Sequence, residues 1–216
     1  MTKTTRLALV ALILVAAGIG AWRLWLQRGD AGPITIPPEA LSRWTLVASD
    51  GTDRWVVGMK PPEALTSTLF KEASRRAGRT LVAPPHPALP LVLRSEFDEG
   101  LQGVYGTDSV LRIARDAGIE NDAFAPVCLA HRTADGPSGR ADVYFVPFTS
   151  TAFNNTRVDL VPDQPEHAGI GVYEPGTLTP ILIVGASDSS FDRWWPMSFD
   201  ESTDCEAPLG ISTAQK

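Results

Sequence analysis

The chain has 216 residues, 44% apolar and 20% charged, with 18 Gly and 18 Pro; this balance excludes a disordered polymer and suits a folded, turn-rich body. Four basic groups (Lys3, Arg6, Arg23, Arg28) and one acid (Asp30) lie in the first thirty residues. Of the 19 Lys and Arg and 25 Asp and Glu, fifteen basic and twenty-four acidic groups therefore remain beyond them, a net of −9. Such an acidic body lacks the electrostatic footprint of a nucleic-acid binder, so no nucleic-acid partner is expected.

Residues 7–26 read as a membrane-spanning helix. Leu7 to Ala21 is an uncharged run of Leu, Val, Ile, Ala and Gly, and the count to Leu26 reaches twenty residues with a single charge, Arg23. About 20 residues cross the roughly 30 Å of a bilayer's hydrocarbon. Arg23 near the far end can snorkel to the headgroups, and Trp22 and Trp25 share a helix face at the level of an interfacial aromatic belt. The competing reading is a cleaved secretory signal, cut after Val15–Ala17 or Gly18–Gly20. The apolar "AWRLWL" continues past both places, unlike a mature N-terminus, which favours an anchor. Both readings export the rest of the chain. Residues 1–6 are then a short tail and 27–40 a Gly/Pro-containing spacer.

In the domain expected over 41–216, "RWTLVAS" and "RWVVG" flank the turn signal "DGTD" and predict a hairpin. "PPEALTSTLFKEASRRAG" predicts a helix, with Leu65, Leu69, Ala73 and Ala77 repeating every four residues and Gly78 at its stop. The basic run Arg75, Arg76 and Arg79 has an ordinary role at such a helix C-terminus. Two short apolar runs come next, broken by the Pro-rich "APPHPALP". "GTDSVLRIARDAG" predicts a second helix, capped by Thr107 or Asp108 and ended by Gly118. "APVCLAHRT" and "RADVYFVPF" predict another hairpin, and "LTPILIVGAS" a buried strand. The expected fold class is α+β: the N-terminal transmembrane helix, then one domain with a mostly antiparallel sheet of about five to seven strands and two helices on one face.

The cysteines are Cys128 and Cys205. An even count in an exported chain predicts one disulfide. A zinc site from Cys128 and His131 is disfavoured, because strand residues three apart point to opposite faces. The three histidines, His86, His131 and His167, share no metal-ligand spacing, and neither a metal nor a cofactor is expected. No nucleophile elbow, phosphate loop, HExxH or CxxC motif is present. The best enzymatic constellation joins Ser187, which follows the buried strand, to Asp188 and His167, a Ser/His/Asp arrangement of a small envelope hydrolase. Against it stands "SSFDRWWPMSF", with Phe191, Trp194, Trp195 and Phe199 within nine residues. Adjacent tryptophans in extended chain face opposite sides, so one closes the core while the other faces a partner. The expected function is a non-catalytic envelope interaction or assembly module, held in the lipid bilayer by residues 7–26. Its domain lies outside the cytoplasm, in the periplasm if the membrane is a bacterial inner membrane, and an envelope protein is its partner.

Overall fold

A computed structural model of the chain describes residues 32–136, 139–161, 173–176, 178–195 and 197–212. The expected span 7–26, with Trp22, Arg23 and Trp25, lies outside them. Among the described residues no helix is long and apolar enough to cross a membrane. The domain from Pro33 onward is α+β, with strands in two sheets rather than one.

The larger sheet has six strands: β1 (Ile34–Ile36), β5 (Ala125–Pro126), β6 (Cys128–Gly136), β7 (Gly139–Thr149), β8 (Ile181–Ala186) and β9 (Cys205–Ile211). Its order is β1-β9-β6-β7, and β5 and β8 also pair with β7. All pairings are antiparallel except β1 with β9, where Ile34 lies opposite Leu209. Residues 34–36, within the stretch expected as a spacer, pair with β9 in the sheet. Ile34 and Ile36 are buried and Thr35 is exposed, and this three-residue alternation was too short to stand out beside the prolines. The smaller sheet is β2 (Thr45–Ala48), β3 (Trp55–Lys60) and β4 (Leu89–Leu93), in that order and antiparallel. Pro90 is tolerated because β4 is an edge strand, where a missing N–H breaks no ladder.

Among the described residues there are five α-helical segments rather than two. Helix α1 (Glu63–Ala77) buries Leu65, Leu69 and Ala73, and Gly78 ends it at φ 64°, a left-handed conformation that glycine adopts without a Cβ clash. The short α2 (Arg94–Glu96) runs into a π turn, Phe97–Leu101. Helix α3 (Thr107–Asp116) buries Val110 and Ala114, but Gly106 sits at its N-cap with no side-chain cap, so neither Thr107 nor Asp108 serves. Helix α4 (Thr151–Asp159) is capped by Ser150 Oγ, which accepts from the Phe153 N–H. The last, α5 (Glu201–Asp204), leads directly into β9.

The large sheet is covered on both faces, which explains why every residue of β8 is buried. Tyr144, Val146 and Phe148 of β7, with Leu182 and Val184 of β8, join the main core. The alternate residues Ala141, Val143, Phe145, Ile181 and Ile183 face a second core, closed by Trp194 and Met197. Period-two alternation on the pleat sorts the two sets. At Gly185 a Cβ would meet Leu81 Cβ at 3.1 Å and the Phe70 ring at 3.2 Å, so glycine is what lets α1 and Leu81 approach β8.

The Cys128–Cys205 disulfide joins β6 to β9, with Cα atoms 5.8 Å apart and a separation of 77 positions in sequence. It fixes β9, and β9 carries β1, the first strand of the domain.

Candidate functional site

A groove opens on the surface where the β2–β3 turn, the Pro84–Pro87 loop and the segment after β8 meet. The turn folds on itself: Asp50 Oδ1 accepts from Thr52 N–H at 3.0 Å and Thr52 Oγ1 at 2.7 Å. Ser49 Oγ donates to Asp53 Oδ2 at 2.8 Å. The hydrogen bonds from Thr52 chiefly, with the field of His86 adding to them, hold the Asp50 carboxyl below its ordinary range. Asp53 and Arg54 are tied down from the other side. Arg94 Nε donates to the Asp53 carbonyl at 3.0 Å, and the Arg94 N–H to the Arg54 carbonyl at 2.8 Å.

The Pro-rich loop leaves the sheet where Val82 and Ala186 exchange two backbone bonds, of 2.8 and 3.0 Å, and returns as β4. Prolines 84, 85 and 87 fix φ on both sides of His86. His86 Nδ1 lies 3.2 Å from Asp53 Oδ1. Between turn and loop, a groove of about 240 Å³ is lined by Asp53, Trp55, His86, Ile183, Phe191 and Trp195. That is below the roughly 300–1,000 Å³ of small-molecule pockets, and suits one or two side chains of a partner better than a metabolite. Trp195 also walls a neighbouring recess of about 280 Å³ with Arg54, Arg94, Asp98 and Glu99.

The two tryptophans differ in burial. Trp194 is 4% exposed, in the second core, whereas Trp195 is half-buried and touches both cores. The reason is not strand alternation: Phe191–Trp194 is a 3-10 turn, and Trp195 follows its end. Ser187 and Asp188 have structural partners. Ser187 Oγ accepts from the Asp142 N–H at 2.9 Å, and the Ser187 N–H donates to the Asp142 carbonyl at 2.9 Å, so the residue clasps β8 to β7. Asp188 accepts from the Ser190 N–H at 2.9 Å and from Arg193 Nη2 at 2.5 Å. His167 lies outside the described residues.

A histidine does stand near Ser187, and it is His131. Its Nε2 lies 3.1 Å from Asp142 Oδ1, which also accepts from Thr133 Oγ1 at 2.8 Å, while Arg79 pairs with the other oxygen. Burial works to raise the Asp142 carboxyl, but the Thr133 and His131 hydrogen bonds and the fields of His131 and Arg79 outweigh it and hold the group low. The His131 ring stacks on Tyr144, whose hydroxyl burial pushes up to about 12. Arg79, just past the end of α1, thereby joins the helix to the sheet.

No family model, curated protein or solved structure matches the chain. The site therefore has to be read from its own chemistry. Asp50, Asp53 and His86, which the structure gathers, were missed in the sequence because two elements 33 residues apart supply them. The available signal was the pair of acids bracketing "GT" opposite a histidine framed by prolines.

Proposed function

We propose that the chain is a single-pass membrane protein whose acidic domain stands outside the cytoplasm and acts as a non-catalytic interaction module of the cell envelope. The apolar run 7–26, with its Trp22/Trp25 belt, supports the anchor. The disulfide supports an oxidising compartment, the periplasm for a bacterial inner membrane.

The observation that carries the docking reading is the half-buried Trp195, which forms a shared wall of two recesses. Exposed Asp98 and Glu99 line one recess alongside Arg54 and Arg94, and Asp53 lines the other beside Arg54, with both Arg94 and Asp53 tied to the frame by backbone contacts. An aromatic face beside carboxylates suits an extended basic segment of an envelope protein, with an Arg or Lys stacked on the indole and paired with the acids. The hydrolase reading has weaker support, since the hydroxyl of Ser187 and the carboxylate of Asp188 are engaged in holding β8 and its following loop.

The test uses the full chain in detergent, titrated with an extended Arg-rich peptide and followed by calorimetry. Trp195→Ala should abolish the binding heat and, with its ring half-buried, cost less stability than Trp194→Ala. Trp194→Ala should lower stability by about 3 kcal/mol or more, as loss of a core aromatic does. Undiminished peptide binding by Trp195→Ala would remove the docking reading. For the anchor, intact mass of membrane-extracted protein should include residues 7–26, and a mature N-terminus at or beyond Ala21 would end it.

A further inference from the structure

We propose that Asp50, Asp53 and His86 form a binding site for a divalent transition metal of the zinc class, open to the grooves on either side. This site stands independently of peptide docking at Trp195.

The donor set is one imidazole nitrogen and two carboxylates, and their ligand atoms all lie within 4.8 Å of one another. Ligands on a tetrahedral zinc at about 2.0–2.1 Å sit roughly 3.3 Å apart. The 3.2 Å between His86 Nδ1 and Asp53 Oδ1 already matches that edge. Asp50, on the exposed rim of the turn, has a carboxylate oxygen within 4.8 Å of both. A hydrogen bond between His86 and Asp53 accounts for one acid at this point. Asp50, held by Thr52, brings a second carboxylate to the same place, so that one imidazole faces two acids.

Three further features suit a metal. The carboxylates are oriented by groups outside the set, Asp53 by Ser49 Oγ and Asp50 by Thr52, the arrangement that fixes metal-ligating acids in place. The prolines flanking His86 restrict the loop before any ion arrives, so little ordering entropy is lost on binding. Space exists on both sides. Asp53 and His86 line the Trp195 groove, and all three residues line a second groove of about 260 Å³, which Lys60 also borders. Three protein ligands leave the remaining coordination positions to water or to an anionic group of a partner. Imidazole with carboxylate selects a zinc-like ion over magnesium or calcium, which prefer all-oxygen shells. The bound ion would tie the β2–β3 turn to the Pro-rich loop, two elements otherwise joined here by the His86–Asp53 contact.

The experiment titrates Zn²⁺ alone into the chelator-stripped full chain in detergent, by calorimetry, with Co²⁺ absorption in the visible as a report on coordination. One equivalent should bind the wild type and raise its melting temperature. Asp50→Asn keeps the acceptor oxygen for Thr52, and His86→Gln keeps a polar side chain on an exposed loop, so both variants retain the fold, checked by near-ultraviolet circular dichroism. Each should weaken Zn²⁺ binding by more than the roughly 10–100-fold that loss of an outer partner causes, and Ser49→Ala should fall within that range. Wild-type affinity retained in both ligand variants would place the ion elsewhere and overturn the site. Absence of a bound equivalent in the wild type would overturn it as well.

Discussion

Two acid–base pairs lie beside the small sheet, Glu96 with Arg157 and Asp53 with His86. Arg157 is fully buried, and its guanidinium is surrounded: Glu96 Oε1 at 2.6 Å, Glu96 Oε2 at 3.2 Å, and the carbonyls of Leu91, Pro175 and Glu174 at 2.7–3.0 Å. The Tyr173 ring lies 4.9 Å from its centre, and Glu96 Oε2 also accepts from the Leu93 N–H. Every donor direction is used and nothing more fits. His86, by contrast, is half exposed and has one acid at hydrogen-bond distance, with a groove on each side. The difference separates a charge pair that organises a core from one that leaves its chemistry available. A buried ion pair is costly to desolvate and is retained when it is fully satisfied; an exposed pair contributes little to stability, so stability does not explain its arrangement.

The largest effect that sharpens this contrast is at Arg157. Arg157→Ala removes the partner of a buried carboxylate and of three carbonyls, and should destabilise the fold by about 3–5 kcal/mol. Denaturant unfolding measures it. The double variant Arg157→Met with Glu96→Gln should recover part of the loss, because it no longer buries an uncompensated charge. Unfolding at wild-type denaturant concentration in Arg157→Ala would mean that the pair organises nothing.

Arg157 also shows why part of the fold was hidden in the sequence. Helix α4 reads "TAFNNTRVD", with Asn and β-branched residues that are indifferent helix formers, so local propensity gives no signal there. Its supports are tertiary: buried Phe153, the Arg157 network, and Asp122, which accepts from Ser150 Oγ at 2.6 Å and from the Ala152 N–H at 2.9 Å. Strand β9 was hidden for a similar reason, since "CEAPLGI" is interrupted by Glu, Pro and Gly and is a strand because β1 and β6 flank it. The elements that were legible carry their own signals: the fourfold spacing of α1, the "DGTD" turn, the all-apolar β8, and the two cysteines. The division into two sheets had no local signature at all, because it depends on which hairpin packs against which. For the candidate site, Trp195 was legible as an unusual residue, but Asp50, Asp53 and His86 became a group only once the chain folded.

An intermediate case is Asp142, whose side chain is 27% exposed and which takes hydrogen bonds from His131 and Thr133 beside the Arg79 cation. Its carboxyl is held below the ordinary value in the folded state, so its contribution is present above the unfolded value of about 3.9 and is lost as pH falls through the folded one. After solvent screening that contribution is about 1 kcal/mol or less. Asp142→Asn should therefore lower stability slightly at pH 7 and flatten the acid limb of the stability profile below about pH 4. Urea midpoints measured from pH 3 to 7 for both proteins provide the comparison. Parallel acid limbs in the two proteins would show that other carboxylates govern the decline.

The smallest expected effect is at His86, and it bears most directly on the contrast between the two pairs. If the Asp53–His86 contact is an open site and not a brace, His86→Ala should change unfolding stability by less than about 0.5 kcal/mol without added metal. The β2–β3 turn keeps its own hydrogen bonds through Ser49, Thr52 and Arg94, none of which involves the imidazole. The Pro-rich loop keeps the Val82–Ala186 bridge at one end and β4 at the other. Adding Zn²⁺ should then stabilise the wild type and leave His86→Ala unmoved, so that the two proteins separate only when the ion is present. A loss of about 2 kcal/mol or more without metal, within the range of a buried hydrogen bond left unmade, would class His86 with Arg157 as part of the frame. In that event Asp50 would be placed there by its turn bonds to Thr52 alone, and the contrast between the two pairs would be one of exposure.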